Sequence, residues 1–448
     1  MTDRRMPLVS MLGLLALLAL FMAPAQAAWA GSALTVDIYG PGQRAVNLAF
    51  AKAENLDVAA SPVPAGDAPL REALTQNLAM LPFLNLMPDG RILGGTDLEG
   101  VTRAGIDFKR FQVSKADLLL TTGWRAEAGG AGRVELRVYE AFSTRLVTGK
   151  AYKGVTADTA PLVADMFCAA LMTDLAGNGD FFRSALAFTR KTGQSRDIWV
   201  VRPQGRDLKQ VTYLGGSSIS PSWSPDGRYV VFGHHGSHQH TLGVWDAKTN
   251  RVFRVKLPGQ TIGGTAFAPD NRVVVAMSRG NMDIYKLTPD LTALQETLVD
   301  SWAIDVSPSF SRDGRLMAFV SDRQGTPQIY LKDLDTGKER RLTFEGKYNT
   351  SPSISPDGRR VVFSRRTSQG HRIMVMDVDT GRERQITFGP GNDEEPAFAP
   401  DGYFVAFASN RRGGYRLYLT TIHGDEARRV ETGQGEATHP AFGLVPGL

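Results

Sequence analysis

The feature that most constrains this chain is a phrase that recurs. Ser220-Pro-Ser-Trp-Ser-Pro-Asp-Gly-Arg-Tyr-Val-Val-Phe232 returns as Ser307-Pro-Ser-Phe-Ser-Arg-Asp-Gly-Arg-Leu-Met-Ala-Phe319 and as Ser351-Pro-Ser-Ile-Ser-Pro-Asp-Gly-Arg-Arg-Val-Val-Phe363. It returns again as Glu395-Pro-Ala-Phe-Ala-Pro-Asp-Gly-Tyr-Phe-Val-Ala-Phe407 and, more weakly, from Gly264 to Ala276. The aspartates fall at Asp226, Asp270, Asp313, Asp357 and Asp401. A fixed period of about 44 residues is the signature of propeller blades.

One copy is readable as physics. Ser-Pro-Asp-Gly suits a type I turn, with Pro presetting φ and Gly in the fourth place. Asn271 replaces that Gly in the weak copy, and Asn tolerates positive φ best after Gly. Val230-Val-Phe232 reads as a short buried strand. A polar hairpin then leads to a third strand, such as Gln328–Asp333. After a turn such as Asp335-Thr-Gly337, a fourth strand is expected at Arg341–Phe344 and, one period on, at Gln385–Phe388. Each period is thus one four-stranded blade, and radial closure leaves few edges open.

The ring count follows from the two ends. His439-Pro-Ala-Phe442 matches the first strand of a blade. Ala185–Arg190, Asp197–Val201 and Gln210–Tyr213 supply the second, third and fourth. The expected fold is an α/β N-terminal domain followed by an all-β six-bladed β-propeller that the C-terminal strand closes. An open stack of sheets is the alternative, and the split blade argues against it.

Residues 1–30 read as a secretory signal peptide. Arg4 and Arg5 precede a short apolar run from Leu12 to Met22, and small residues between Ala25 and Ala30 offer a cleavage site. The expected address is the periplasm. Residues 31–178 lack the repeat and mix strands with helices, as a small α/β domain does. Helical spacing marks Leu70, Leu74, Leu78 and Leu81, and strands are expected at Ala116–Thr121, Val134–Tyr139 and Leu146–Tyr152. A helix around the single cysteine, Cys168, ends at Gly177-Asn-Gly179. A structural thiol is expected there. Residues 179–182 are the expected linker and 183–448 the propeller. The net charge of +5 is spread among acids without a run, which does not favour nucleic acid.

Enzyme motifs are sparse. There is no Gly-x-Ser-x-Gly elbow, no phosphate-cradling Gly-x-x-x-x-Gly-Lys, no His-Glu-x-x-His and no EF-hand loop. His234, His235, His238 and His240 fall within seven residues and could bind zinc or copper. No carboxylate lies among them, and an exposed polar loop in a hairpin at the propeller's edge is the preferred reading. Asp393, Glu394, Glu395, Asp305, Glu436 and His439 precede innermost strands. Paired carboxylates there could serve a glycosidase, but a recognition surface is preferred.

The mature chain resembles the TolB family, the periplasmic component of the Tol–Pal cell-envelope system. The resemblance rests on the signal peptide, an α/β domain of this size, Ser-Pro-Asp-Gly blades closing on the C-terminus, and the junction Phe181-Phe-Arg-Ser-Ala-Leu-Ala-Phe-Thr-Arg190. The N-terminal match is loose, at Ala116–Gly123 and around Tyr139–Tyr152, and the His cluster lies outside the family pattern.

The resemblance implies a non-catalytic protein without cofactor. It would link the peptidoglycan-associated lipoprotein Pal to the inner-membrane-anchored TolA and support outer-membrane integrity and cell division. The chain is expected to be monomeric, with other outer-membrane proteins as further partners. Pal is expected at the channel mouth, where the segments 218–220, 262–264, 305–307, 349–351, 393–395 and 437–439 converge just upstream of each innermost strand. The residues singled out there are Ser218, Ser220, Ile262, Gly263, Asp305, Ser307, Asn349, Thr350, Asp393, Glu394, Glu436 and His439. A solvated rim of no consequence is the plain alternative. TolA is expected on Leu34, Thr35, Val36, Asp37, Ile38 and Tyr39, whose alternation suits strand addition. A permanent strand of the α/β domain fits the same residues. The alternative function is a periplasmic propeller enzyme or ligand-binding protein using the carboxylates at the mouth.

Overall fold

The computed structural model describes residues 44–57, 63–237 and 239–445. The expected signal peptide, the segment Leu34–Tyr39 and His238 lie outside the described residues.

The N-terminal part is a sheet with helices. Its strands are β1 (Val46–Phe50), β2 (Glu54–Asn55), β3 (Leu84–Leu86), β4 (Leu118–Ala126), β5 (Gly132–Glu140) and β6 (Leu146–Val155). The order is β3-β1-β4-β5-β6, with β2 on β4. β1 runs parallel to β3 and β4, and β4-β5-β6 is an antiparallel meander. Helix α1 (Asp67–Ala79) buries the leucines that set its period, Leu70, Leu74 and Leu78. Helix α2 (Phe108–Val113), which the sequence pattern did not announce, inserts Phe108 and Phe111 into the core under an Asp107 cap. Helix α3 (Ala160–Ala176) packs against α1 and stops at Gly177, whose φ of 80° suits a residue without a Cβ. Cys168 is fully buried on α3, and burial pushes its thiol well above the ordinary range. That fits the structural role expected for it.

A short 3-10 turn, Asp180–Arg183, leads into a β-propeller. Its strands form antiparallel four-strand units. Four stand as separate sheets, each ordered as in the chain, beginning at Ile262, Asp305, Asn349 and Asp393. The other eight strands form one sheet holding two such runs. One run is Ser217–Trp223, Tyr229–His235, His240–Asp246 and Arg251–Val255. The second begins with the C-terminal strand Glu436–Leu444 and continues through Ser184–Thr192, Ser195–Val201 and Lys209–Gln210. A single parallel pair, Ser217 with Arg196, joins the two runs, beside a bond from the Arg196 amide to the Gly216 carbonyl of 2.9 Å. Six separate sheets were expected; four are separate and two runs are fused at this point. Closure runs as expected, with Ala441 opposite Ala187 and Phe442 opposite Leu186.

The repeated phrase folds as its residues dictate. In the first copy the Gly227 amide donates to the Ser224 carbonyl at 2.9 Å, and the Arg228 amide donates to Asp226 at 3.0 Å. Gly227 has φ 69°, and Asn271, in the same place one unit later, has φ 61°. Each strong copy of the phrase ends in an aromatic that packs between units: Phe232, Phe319, Phe363 and Phe407 are fully buried, as is Phe188, while the weak copy ends in the buried Ala276.

The fourth strands lie earlier than expected. They span Lys209–Gln210, Glu339–Arg341 and Glu383–Gln385, so they end where the pattern placed their starts. Beyond that point a threonine side chain replaces the ladder. The Leu342 amide still donates to the Ile329 carbonyl at 2.8 Å, but the Ile329 amide donates to Thr343 Oγ1 at 3.0 Å. Thr212 and Thr387 do the same for Ile198 and Ile373 at 2.8 and 2.9 Å. The aromatic that follows, Tyr213, Phe344 or Phe388, is therefore released to solvent.

Candidate functional site: the channel mouth

The innermost strands begin earlier than the sequence suggested. They start at Ser217, Ile262, Asp305, Asn349, Asp393 and Glu436, so the candidate residues lie within the strands and not in loops ahead of them. Alternation then sorts them. Ser218, Ile262, Asp305, Asn349 and Asp393 are buried in their own units. Ser220, Ser307, Thr350, Glu394, Glu436 and His439 are half-buried, and Gly263 is exposed.

Each buried polar member has a partner from its own unit. Asp305 accepts from Arg323 at 3.0 Å, and Asp393 accepts from Arg411 at 2.8 Å. Asn349 accepts from Arg365 at 2.8 Å, and Arg365 clamps Glu383 through both carboxylate oxygens at 2.5 and 2.8 Å. Ser218 meets His234 Nδ1 at 3.1 Å. These groups hold the mouth in shape.

The residues facing the channel are the last of each segment. Ser220, Ser307, Ser351, Glu395 and His439 all stand directly before a proline with φ between 51° and 56°. Left-handed backbone at non-glycine residues is uncommon and persists only where the surroundings impose it. Here the imposition is a register shift at each of these positions, for example between Ile219 and Ser222 and between Glu394 and Ala397. Such bulges bend a strand and re-aim a side chain. Gly264 takes the equivalent place in the remaining unit, where the register also shifts. All six residues line one cavity of about 640 Å³ along the propeller centre.

Two of the six form a pair across neighbouring units. His439 Nε2 lies 3.0 Å from Glu395 Oε1, and the His439 amide donates to Glu395 Oε2 at 2.6 Å. Next to them, Glu394 accepts from the Tyr415 hydroxyl and lies 3.4 Å from His371 Nδ1. Burial, reinforced by Glu394, pushes the Tyr415 phenol up to about 12. Glu436 lies 4.0 Å from Lys191 at the surface. At the other end of the channel, Arg312 lines the cavity and pairs with Asp180 at 3.2 Å. The six segments were legible in the sequence, but not which residue of each faces the channel. Tyr415, Arg365 and Arg411 carry no sequence signal because they arrive from later in the same unit, and His371 carries none because it arrives from the preceding unit.

Large aromatics also stand exposed ahead of these segments. Tyr213, Trp302, Phe344, Tyr348 and Phe388 are exposed in the segments leading to innermost strands, Trp302 at 79%.

The histidines divide. His234 and His235 close the strand Tyr229–His235, and His240 opens the next, so all three lie in paired strand and not in a loop. His234 is buried against Ser218, and burial lowers its readiness to take a proton. His235 and His240 are opposite each other, ring centroids 4.2 Å apart. Burial, then His240, lowers the His235 pKa. Among the described residues, no group of three or more His, Cys, Asp or Glu is placed to hold a metal. No helix among them is long and apolar enough to cross a membrane.

This geometry has known relatives. A family model described as the TolB beta propeller domain matches residues 172–445. A Tol-Pal system protein TolB from Nitratidesulfovibrio vulgaris is 48% identical over 318 residues, 70% of this chain and 72% of the relative. A TolB homolog from Chlorobium luteolum is 31% identical over 73% of each chain. The crystal structure of TolB from Acinetobacter baumannii superposes with a TM-score of 0.76, covering 90% of this chain and 98% of the other at 21% identity, a likeness of fold. The chain belongs to the TolB family of Tol–Pal system proteins.

Proposed function

We propose that the chain is a periplasmic, non-catalytic binding component of the Tol–Pal system. It holds a Pal-like lipoprotein over the channel mouth and engages a TolA-like inner-membrane protein through Leu34–Tyr39. By joining the two it supports outer-membrane integrity and constriction at division. We count the eight-stranded sheet as two blades, which makes the ring six. The domain limits of 31–178 and 183–448, with residues 179–182 between, belong to this reading.

One observation carries it. Six bulged strands from distant parts of the chain aim Ser220, Gly264, Ser307, Ser351, Glu395 and His439 at one axis. Strain repeated at the same place in five of the six units supports recognition better than chance variation of a solvated rim. The exposed rim aromatics suit a protein partner, since interfaces are enriched in such residues. The carboxylates Glu394 and Glu395 are already engaged by Tyr415 and His439, which favours recognition over acid–base work.

Two pull-downs test the reading. The full-length mature chain should retain the cognate Pal-like lipoprotein, and failure to do so would reject the mouth's assignment. Removing residues 31–42 should abolish retention of the TolA-like protein while leaving Pal retention intact. Unchanged TolA retention would remove the strand-addition segment from the account.

A further inference from the structure

The His235–His240 pair presents a feature that the mouth does not use. The two residues are directly opposite in antiparallel strands. The Gly236 amide donates to the Gln239 carbonyl at 3.1 Å one step further out. That makes His235–His240 a non-hydrogen-bonded pair, the kind whose side chains stand closest. Their ring centroids are 4.2 Å apart with planes tilted by 59°.

Each ring turns one nitrogen inward without a partner. His235 Nε2 and His240 Nδ1 are both buried atoms that make no hydrogen bond. Gly233, two residues back on the same face, borders the His235 ring: a Cβ there would stand in ordinary contact, 3.6 Å from Nε2 and 3.6 Å from Ile262 Cγ2. The pair therefore caps the apolar seam between two units, where Leu242, Val244 and Ile262 are buried. A buried nitrogen left unpaired is costly and calls for water or an ion. Two imidazoles beside each other repel as cations, so the pair favours neutral rings, the form that ligates metal. His234 is excluded, because alternation sends it to the opposite face and Ser218 engages its Nδ1.

We propose that His235 and His240 form a binding site for a first-row divalent cation of the borderline class, Zn2+ or Ni2+, with water completing the coordination. Imidazole nitrogen suits these ions and does not suit Mg2+ or Ca2+. The site bridges the second and third strands of one unit and would pin their hairpin.

The test is calorimetric titration of Zn2+ into the mature chain carrying no affinity tag, with Mg2+ as control. The expected result is one saturable Zn2+ site per chain and no Mg2+ binding there. His235→Ala and His240→Ala should each weaken Zn2+ binding by at least about tenfold, while His371→Ala leaves it unchanged. Melting in chelator verifies that each variant is folded; if an alanine variant melts early, the glutamine replacement at that position decides. Absence of a saturable Zn2+ site, or full affinity in the folded His235 and His240 variants, overturns the proposal.

Discussion

Asp401 differs from the other aspartates of the repeated phrase in what surrounds its carboxyl. Asp226, Asp313 and Asp357 each accept from a serine hydroxyl two residues earlier, at 2.5 Å. For Asp313 that hydroxyl is the main reason its pKa is lowered. Asp270 follows Ala268, and although burial opposes ionisation, Lys286 at 2.6 Å lowers its pKa. Asp401 follows Ala399 and lies near Asp180. Loss of solvent pushes it up to about 6, a rise only partly offset by the amides of Tyr403 and Phe404. A raised folded pKa means that the folded state holds the proton longer, so the contribution is full below the unfolded value and is lost as pH rises through about 6. Asp401→Asn should therefore melt higher than the parent at pH 8 and show no such gain at pH 4. Equal melting shifts at both pH values would contradict this. Asp393 makes the complementary case. It is fully buried with Arg411 as partner, so Asp393→Ala should cost about 3–5 kcal/mol by leaving a charge unpaired. Denaturant unfolding measures it, and a loss under about 1 kcal/mol would mean that solvent already screens the pair.

At the scale of the element, the closing strand is the sharpest case. Gly443 lies flush on the neighbouring unit: a Cβ there would meet Trp223 Cγ at 2.2 Å. Gly443→Ala should destabilise the chain by about 1–3 kcal/mol through overpacking. An unchanged melting temperature would show that the seam gives way freely. The second and third strands were legible because β-branched and aromatic runs are bounded by turn residues, as at Val230–Phe232 and Gln328–Asp333. The fourth strands were misplaced because Thr212, Thr343 and Thr387 accept the amide hydrogen bond on a side-chain oxygen where a strand would accept it on its carbonyl, which no periodicity reveals. Innermost strands were begun too late because their first residues, such as Asp305 and Asp393, are polar. Arg323 and Arg411 make them fit to be buried, and those arginines lie 18 residues further on.

At the scale of the whole molecule, the period and the split unit already specified a ring closed by its C-terminal strand, and the fold carries that closure. What the sequence could not specify was the direction of each side chain at the mouth, since a one-residue bulge reverses it. The site reading therefore rests on Ser220, Ser307, Ser351, Glu395 and His439 sharing one backbone conformation. If a Pal-like lipoprotein seats over that ring, a few residues beside the axis should dominate the binding energy. His439 lines the channel, Thr350 and Glu394 each stand one residue before a channel-facing one, and all three are half-buried and accessible to a partner. The decisive measurement is calorimetric titration of the cognate Pal-like lipoprotein into the parent chain and into Thr350→Trp, Glu394→Lys and His439→Glu, each verified by its melting curve. Binding should weaken at least tenfold, about 1.4 kcal/mol, in folded variants. Full affinity in all three would contradict the assignment of this mouth as the partner surface.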